Sequence, residues 1–364
     1  MTTTKQDLLL CALALGAMLA SSTSAQYLEK TIYLPDSFGG VISPQCLTYD
    51  SANNTIYVGG YHGDCVIAID GATNQRIARI PAGLNSTALC YNPTNNKVYS
   101  ANADDNNVTV ISGATNAVIA TVSAGSNPRT FCYNPTDNKV YCANSGSNDV
   151  TVIDGASDAV IATVTAGNYP YALCYNPTND KVCCANLVSK DLTVIDGTTN
   201  EVLAGVTAGN VPVSLCYNPT NNKVYCSNNW GNNVAVIDGT TNGVCTTVGV
   251  GVGPRGLCHN PIQNRVYVAN EDSSVSVLRD SGGGIEETMN DERGTMKLRA
   301  TIVRGVLWTG DRGQMTGDRA ELLDISGRKV LDLHPGANDV RVLAPGVYFV
   351  REEPQAVGKV VVTR

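Results

Sequence analysis

Charge is scarce in this chain: 16% of its 364 residues are charged, and 32 acidic side chains stand against 25 basic ones. With no clustered basic face there is no electrostatic footprint for nucleic acid. Histidine is scarcer still, at three positions: His62, His259 and His334. No Ser-His-Asp arrangement, His-based metal spacing or glycine-rich phosphate loop is recognisable, so the sequence implies neither a metal nor a cofactor. Helical periodicity is absent. Beyond residue 25 no apolar run has the length of a membrane span.

What the chain has in quantity is Gly, Asn, Thr and Val, the composition of short strands joined by tight turns. It also has a repeat. Tyr-Asn-Pro recurs every 42 residues, at Tyr91, Tyr133, Tyr175 and Tyr217. His259-Asn260-Pro261 continues the series, and Tyr49-Asp50-Ser51 begins it in degraded form. In the unit from Pro128 to Gly167, the run Thr130–Tyr133 leads into the turn formers Asn134–Asn138. Strands are expected at Lys139–Asn144, Val150–Ile153 and Val160–Val164, with Asp154-Gly155 as a hairpin signal. Four strands in about 40–45 residues is the pattern of a propeller blade.

The repeat resembles the YVTN family of β-propeller repeats. The resemblance rests on Lys97-Val98-Tyr99-Ser100-Ala101-Asn102, Lys223-Val224-Tyr225-Cys226-Ser227-Asn228 and Arg265-Val266-Tyr267-Val268-Ala269-Asn270. It rests also on Val-Ile-Asp-Gly at 152–155, 194–197 and 236–239, and it covers about residues 28–280. It implies a secreted or surface-layer propeller, in a family defined by architecture more than by one activity. Inner strands near Pro44, Ser86, Pro128, Pro170, Pro212 and Pro254 make six blades. The last supplies three strands, ending at Val275–Leu278, and the expectation is that Thr31–Leu34 adds the fourth and closes the ring.

Both ends of the chain point to export. Lys5, the apolar stretch Leu8–Ala20 and the polar tail Ser21–Ala25 read as a signal peptide, residues 1–25, cut after Ala25. The propeller then spans 26–280 and a flexible linker 281–298. Six or seven short strands within 299–364 suggest an Ig-like β-sandwich. That segment resembles the C-terminal sorting domains of type IX secretion cargo, through Leu323–Val330, Leu343–Val350 and Lys359–Val362. The resemblance implies passage across an outer membrane by secretion machinery and a place at the cell surface. A purely structural cap is the other reading.

The expected fold is thus all-β: a six-bladed propeller closed by an N-terminal strand, followed by a small β-sandwich. Candidate chemistry is thin. Turn formation explains Asp70, Asp154, Asp196 and Asp238, and Asp104–Asn107 lacks the ligand spacing of a calcium loop. The cysteines have two readings. If the hairpin turns near Thr136-Asp137, Cys132 faces Cys142, and Cys174–Cys184 and Cys216–Cys226 follow as possible disulfides. In the other reading they are small buried apolar residues. Cys183-Cys184 has no matching pair for a metal site.

Subtracting the repeat leaves one variable rim, made of the loops between second and third strands and the links between blades. The residue after the blade-leading position, at Gln45, Thr87, Arg129, Tyr171, Val213 and Arg255, is expected at the channel mouth. Thr87, Arg129, Tyr171 and Arg255, with His62 and Trp230 from other loops, are the candidate ligand-binding residues. The favoured function is non-catalytic binding or display, toward a protein, glycan or envelope ligand. A propeller enzyme, lyase or lactonase-like, is the alternative.

Overall fold

β-branched and aromatic residues fill Lys97–Asn102 and Asn107–Ser112, with turn formers before, between and after them. Such segments build short antiparallel strands. The computed structural model, which describes residues 28–34, 43–279, 300–303, 306–309, 320–323, 328–333, 336–339, 343, 346–352 and 355–362, shows them across residues 43–279. Among these residues, five four-stranded sheets and one three-stranded sheet start at Ser43, Ser86, Pro128, Pro170, Pro212 and Pro254. Each keeps its strands in chain order, which makes the fold propeller-like. The expected signal peptide and linker lie outside the described residues, as does His334.

The chain divides into two compact units, Met1–Thr163 and Val164–Arg364. In the first, Ser86–Asn92 lies against Ser43–Asp50 and Thr55–Tyr61, and Pro128–Asn134 against Ser86–Asn92 and Lys97–Asn102. In the second, Pro212–Asn218 lies against Pro170–Asn176 and Lys181–Asn186, and Pro254–Asn260 against Pro212–Asn218 and Lys223–Asn228. This stacking buries second and third strands on both faces, so their apolar residues occur on both parities. Tyr57, Val66, Ala68 and Ile80 share one core with Val98 and Ile111 of the next sheet. Leu192 and Val194 share another with Val224 and Ile237.

The Asn-Pro turn is the joint between sheets. Asn92 is fully buried, and its Oδ1 accepts hydrogen bonds from the amides of Thr94 (2.9 Å) and Asn95 (3.3 Å). Its Nδ2 donates to Asn138 Oδ1 of the next sheet at 2.9 Å, and Asn138 Nδ2 donates back to Asn95 Oδ1 at 2.6 Å. Asn176 repeats the arrangement with Thr178, Asn179 and Asn222. Asn218 bonds Asn264 at 2.7 Å. The receiving residues Asn138, Asn222 and Asn264 hold left-handed φ of 52°, 54° and 48°, which asparagine tolerates. Lysine extends the lacing: Lys97 Nζ donates to Gly155 O and Ala156 O and pairs with Asp158 at 2.9 Å, with both side chains largely buried.

Two expectations are corrected. Residues 28–34 form no strand, and the sheet ending at Val275–Arg279 has three strands, so the predicted clasp is not formed. Leu34 and Ile32 instead pack on Val58, Cys65, Ile67 and Ile69. Side chains hold the segment there, with Arg76 Nη1 donating to Leu34 O at 2.6 Å and Lys30 Nζ to Asn74 O at 3.0 Å. Apolar burial against the first sheet replaces backbone pairing.

The cysteine register is the second correction. Four residues, Pro135–Asn138, make the turn, so Asn134 pairs with Lys139 and Cys132 with Tyr141. Cys142 faces Phe131, and a one-residue slip puts it on the opposite face of the sheet from Cys132. Likewise Cys184 faces Leu173 and Cys226 faces Leu215. Cys132–Cys142, Cys174–Cys184 and Cys216–Cys226 are therefore not cross-strand pairs, and all six are thiols in the structure.

The C-terminal segment contains a five-stranded mixed sheet ordered Ala300–Val303, Gln355–Val362, Gly346–Glu352, Ala320–Leu323, Lys329–Leu333. A two-stranded ribbon joins Val306–Thr309 to Gly336–Asp339. Leu322, Leu323 and Tyr348 are buried.

Asn92→Ala should cost about 1–3 kcal/mol of unfolding free energy, because it leaves two turn amides without their acceptor and removes the bond to Asn138. A urea melt measures this, and an unchanged midpoint would contradict the role. At the Asp-Gly turns, the Ser157 hydroxyl and amide hold Asp154 below the usual carboxylate range, and the Thr241 amide does the same for Asp238. A depressed folded pKa means the stabilisation is complete above the unfolded value, about 4, and is lost as pH falls through the folded one. The double variant Asp154→Asn/Asp238→Asn should show a shallower fall of thermal midpoint below about pH 4 than the parent.

Candidate functional site

Each of the six sheets of residues 43–279 presents two unlike rims. On one lie the Asn-Pro and Asp-Gly turns, nearly identical from repeat to repeat. The other carries the loops between second and third strands and the links into the next sheet. Buried asparagines fix the roots of those loops. Asn102 donates to Asn107 Oδ1 (2.7 Å) and Thr109 Oγ1 (2.8 Å), and Asn186 to Asp191 Oδ1 (2.8 Å) and Thr193 Oγ1 (2.9 Å).

The strand-start positions chosen from the sequence share a structural cause. The register of first on second strand shifts at Gln45, Thr87, Arg129, Tyr171, Val213 and again across Arg255-Gly256. Each is the extra residue of a β-bulge, which turns its side chain out of the strand's alternation. What they do next differs. Thr87 is scaffold: its Oγ1 donates to Pro128 O at 2.8 Å and Ala101 O at 3.3 Å. Arg129 is partly buried at the start of the adjoining strand. His62 is exposed, at a left-handed φ of 56°, and its amide donates to Asn85 Oδ1 at 2.8 Å. Asp104 and Asp105 are occupied by Asn85 Nδ2 and by the Leu84 amide, so loop bonding accounts for them. A cleft of about 540 Å³ in this unit is lined by Pro81, Gly83, Asn107, Thr109 and Thr121 among others, with no ionisable group in its lining.

The second unit gathers the remaining candidates. Tyr171 stacks on Tyr169, with ring centroids 6.5 Å apart and planes 24° from parallel. Arg255 Nε pairs with Glu271 Oε1 at 2.6 Å, and Asn229 Nδ2 reaches the same carboxylate at 3.4 Å. Trp230, beside Asn229 in a short 3-10 turn, is 73% exposed. Val188 and Val252 on the same rim are 54% and 57% exposed. These are large apolar groups exposed to water on loops that backbone bonds hold in place.

Two residues of this rim, Tyr169 and Val211, were missed from the sequence; Lys190, a variable-loop residue by the same subtraction of the repeat, joins them. Position 42n+1 of the stride takes left-handed φ as Asn85 (57°), Asn127 (55°), Tyr169 (62°), Val211 (60°) and Gly253 (65°). Asparagine and glycine suit that conformation; tyrosine and above all β-branched valine do not. In the first unit the asparagines also lace the loops, as when Ser145 Oγ donates to Asn127 Oδ1 at 2.9 Å. A second left-handed series reads Asn106, Asn148, Lys190 and Asn232, and Lys190 breaks it at 65°. The three exceptions adjoin one another's loops: the Leu187 amide donates to Tyr169 O (2.9 Å), Ala208 to Lys190 O (3.2 Å) and Asn229 to Val211 O (2.8 Å). Writing the repeats under one another would have exposed them, since each departs from a column otherwise made of Asn or Gly.

Comparison with known proteins identifies a fold and no family. No family model and no curated protein matches the chain. Among solved structures it is similar to Kuenenia stuttgartiensis hydrazine synthase, at 16% identity over 70% of this chain and 99% of that one, with a TM-score of 0.44. It is also similar to a chain of the mitotic checkpoint complex, at 15% identity over 67% of this chain and 76% of that one, with a TM-score of 0.56. The second likeness supports the propeller-like fold.

Left-handed valine costs on the order of 1 kcal/mol, so Val211→Asn should stabilise the protein by about that amount. Chemical denaturation checks it, and a lower midpoint in the variant would show that Val211 is not strained.

Proposed function

We propose that the chain is an exported, non-catalytic β-propeller that binds a cell-envelope or extracellular ligand through the variable rim of its second unit. The observation that carries this reading is the concentration of repeat-breaking residues there. Tyr169, Lys190 and Val211 hold an unfavourable backbone conformation in the second unit, where the same columns of the first unit keep asparagine. Stored strain on a rim that also exposes Trp230 and a stacked tyrosine pair fits recognition, because strain persists where something other than folding selects the residue. Groups with chemical potential are spent on structure instead. Asp154 and Asp238 close turns, Asp104 and Asp105 bind loop donors, and His259 Nε2 lies 3.4 Å from Asn264 Oδ1.

The six sheets are read as six blades of a ring like those of YVTN repeat proteins. The C-terminal sheets are read as a β-sandwich that directs type IX export to the cell surface. Supporting the latter, two of the three segments that resemble sorting domains carry buried side chains, Leu323 and Tyr348.

The double variant Tyr171→Ala/Trp230→Ala in the full chain should weaken binding to intact cells or arrayed envelope glycans at least tenfold, about 1.4 kcal/mol. Arg129→Ala, in the other unit, should change it little. Equal binding by the double variant and the parent would remove this rim from consideration.

A further inference from the structure

One repeat breaks the cross-strand pattern as well as the rim. At the position two residues before the Asn of the turn, the first strand faces a tyrosine of the second. The pairs are Thr48 with Tyr57, Cys90 with Tyr99, Cys132 with Tyr141, Cys216 with Tyr225 and Cys258 with Tyr267. In the fourth sheet the tyrosine is replaced, and Cys174 faces Cys183. In the first two sheets the tyrosine reaches a turn of the neighbouring sheet. Tyr57 hydroxyl donates to Asn116 Oδ1 at 2.5 Å, and Tyr99 hydroxyl to Asp158 Oδ1 at 3.1 Å. Asn242 occupies the corresponding place for the fourth sheet and takes its bond from Lys181 at 2.8 Å. Cysteine is too short to make the tyrosine's bond there.

We propose that Cys174 and Cys183 close a cross-strand disulfide as the protein folds in an oxidising compartment. Directly opposed antiparallel residues have Cα atoms about 4.5–5.5 Å apart, inside the range a disulfide spans, and their side chains leave the same face of the sheet. Two buried thiols nearby, Cys184 and Cys226, are engaged elsewhere, while Cys216 of the next sheet faces Tyr225. Cys184 faces Leu173 on the other side and donates to Asn186 Oδ1 at 3.4 Å, and Cys226 donates to Asn228 Oδ1 at 3.8 Å.

The chemistry is thiol–disulfide exchange with a disulfide oxidant. One cysteine thiolate attacks the oxidant, forming a mixed disulfide and releasing one thiol. The other thiolate then displaces the second, so one S–S bond forms, one breaks, and two protons and two electrons leave the pair. Burial pushes the Cys183 thiol up to about 12, and burial with the neighbouring Cys183 raises Cys174. Thiolate is therefore rare once the sheets have stacked, so the bond forms during folding and is shielded afterwards.

Formation in the cell rests on the proposed export; the pairing itself does not. The full chain should be refolded with mixed oxidised and reduced glutathione, alkylated, and peptide-mapped without reduction. The expected map links the Cys174 and Cys183 peptides and shows Cys184 and Cys226 alkylated. Alkylation of both Cys174 and Cys183, or their linkage to other cysteines, would overturn the pairing. Cys183→Tyr, which restores the residue of the other repeats, should fold with the linked peptide gone; a link persisting through Cys174 would also overturn it. Linkage on refolding, with the protein found only inside the cell and both thiols free there, would count against export alone.

Discussion

The structure depends on a buried asparagine that satisfies two sets of partners at once. In the Asn-Pro turn its carbonyl oxygen ends the strand by accepting turn amides, while its amide nitrogen crosses to the next sheet. A buried polar side chain without partners would cost several kcal/mol; with all of them met, it fixes both the turn and the stacking distance. Proline at the next position removes a donor that the turn would leave unpaired. The left-handed asparagine that receives the bond is itself a turn residue, so the joints at Asn92, Asn176 and Asn218 use the next repeat's turn as their socket.

From that joint the rest follows. Fixed stacking buries second and third strands on both faces, which is why cysteine, alanine and valine fill positions that would otherwise be solvated. It also brings Lys97 and Tyr99 within reach of Asp158, two turns further along the chain, and turns an otherwise costly buried charge into a bonded pair. With one rim committed to these joints, only the opposite rim is free to vary, and there the bulges re-aim one side chain per sheet.

Much of this was legible in the sequence. The 42-residue stride, the strand count per repeat and the division into an invariant and a variable rim all rest on local patterns, and local patterns decide short strands and turns. The cysteine register was not legible, because it depends on whether the turn holds an odd or even number of residues. That is set by the Asn134 side chain and the left-handed Asn138. The N-terminal clasp failed for another reason: Ile32 and Leu34 read as strand residues, but apolar contact with Ile67 and Ile69 and a bond from Arg76 satisfy them without pairing. Tyr169, Lys190 and Val211 were visible as exceptions, yet their meaning required backbone angles that no composition encodes.

The most direct measurement is a double-mutant cycle on Asn92 and Asn138, with unfolding free energies of the parent, both single alanine variants and the double variant. If the bond between them joins successive sheets, the two losses will be coupled by about 1 kcal/mol or more. Strictly additive losses would mean that each asparagine serves only its own turn, and that the sheets are held together by apolar packing alone.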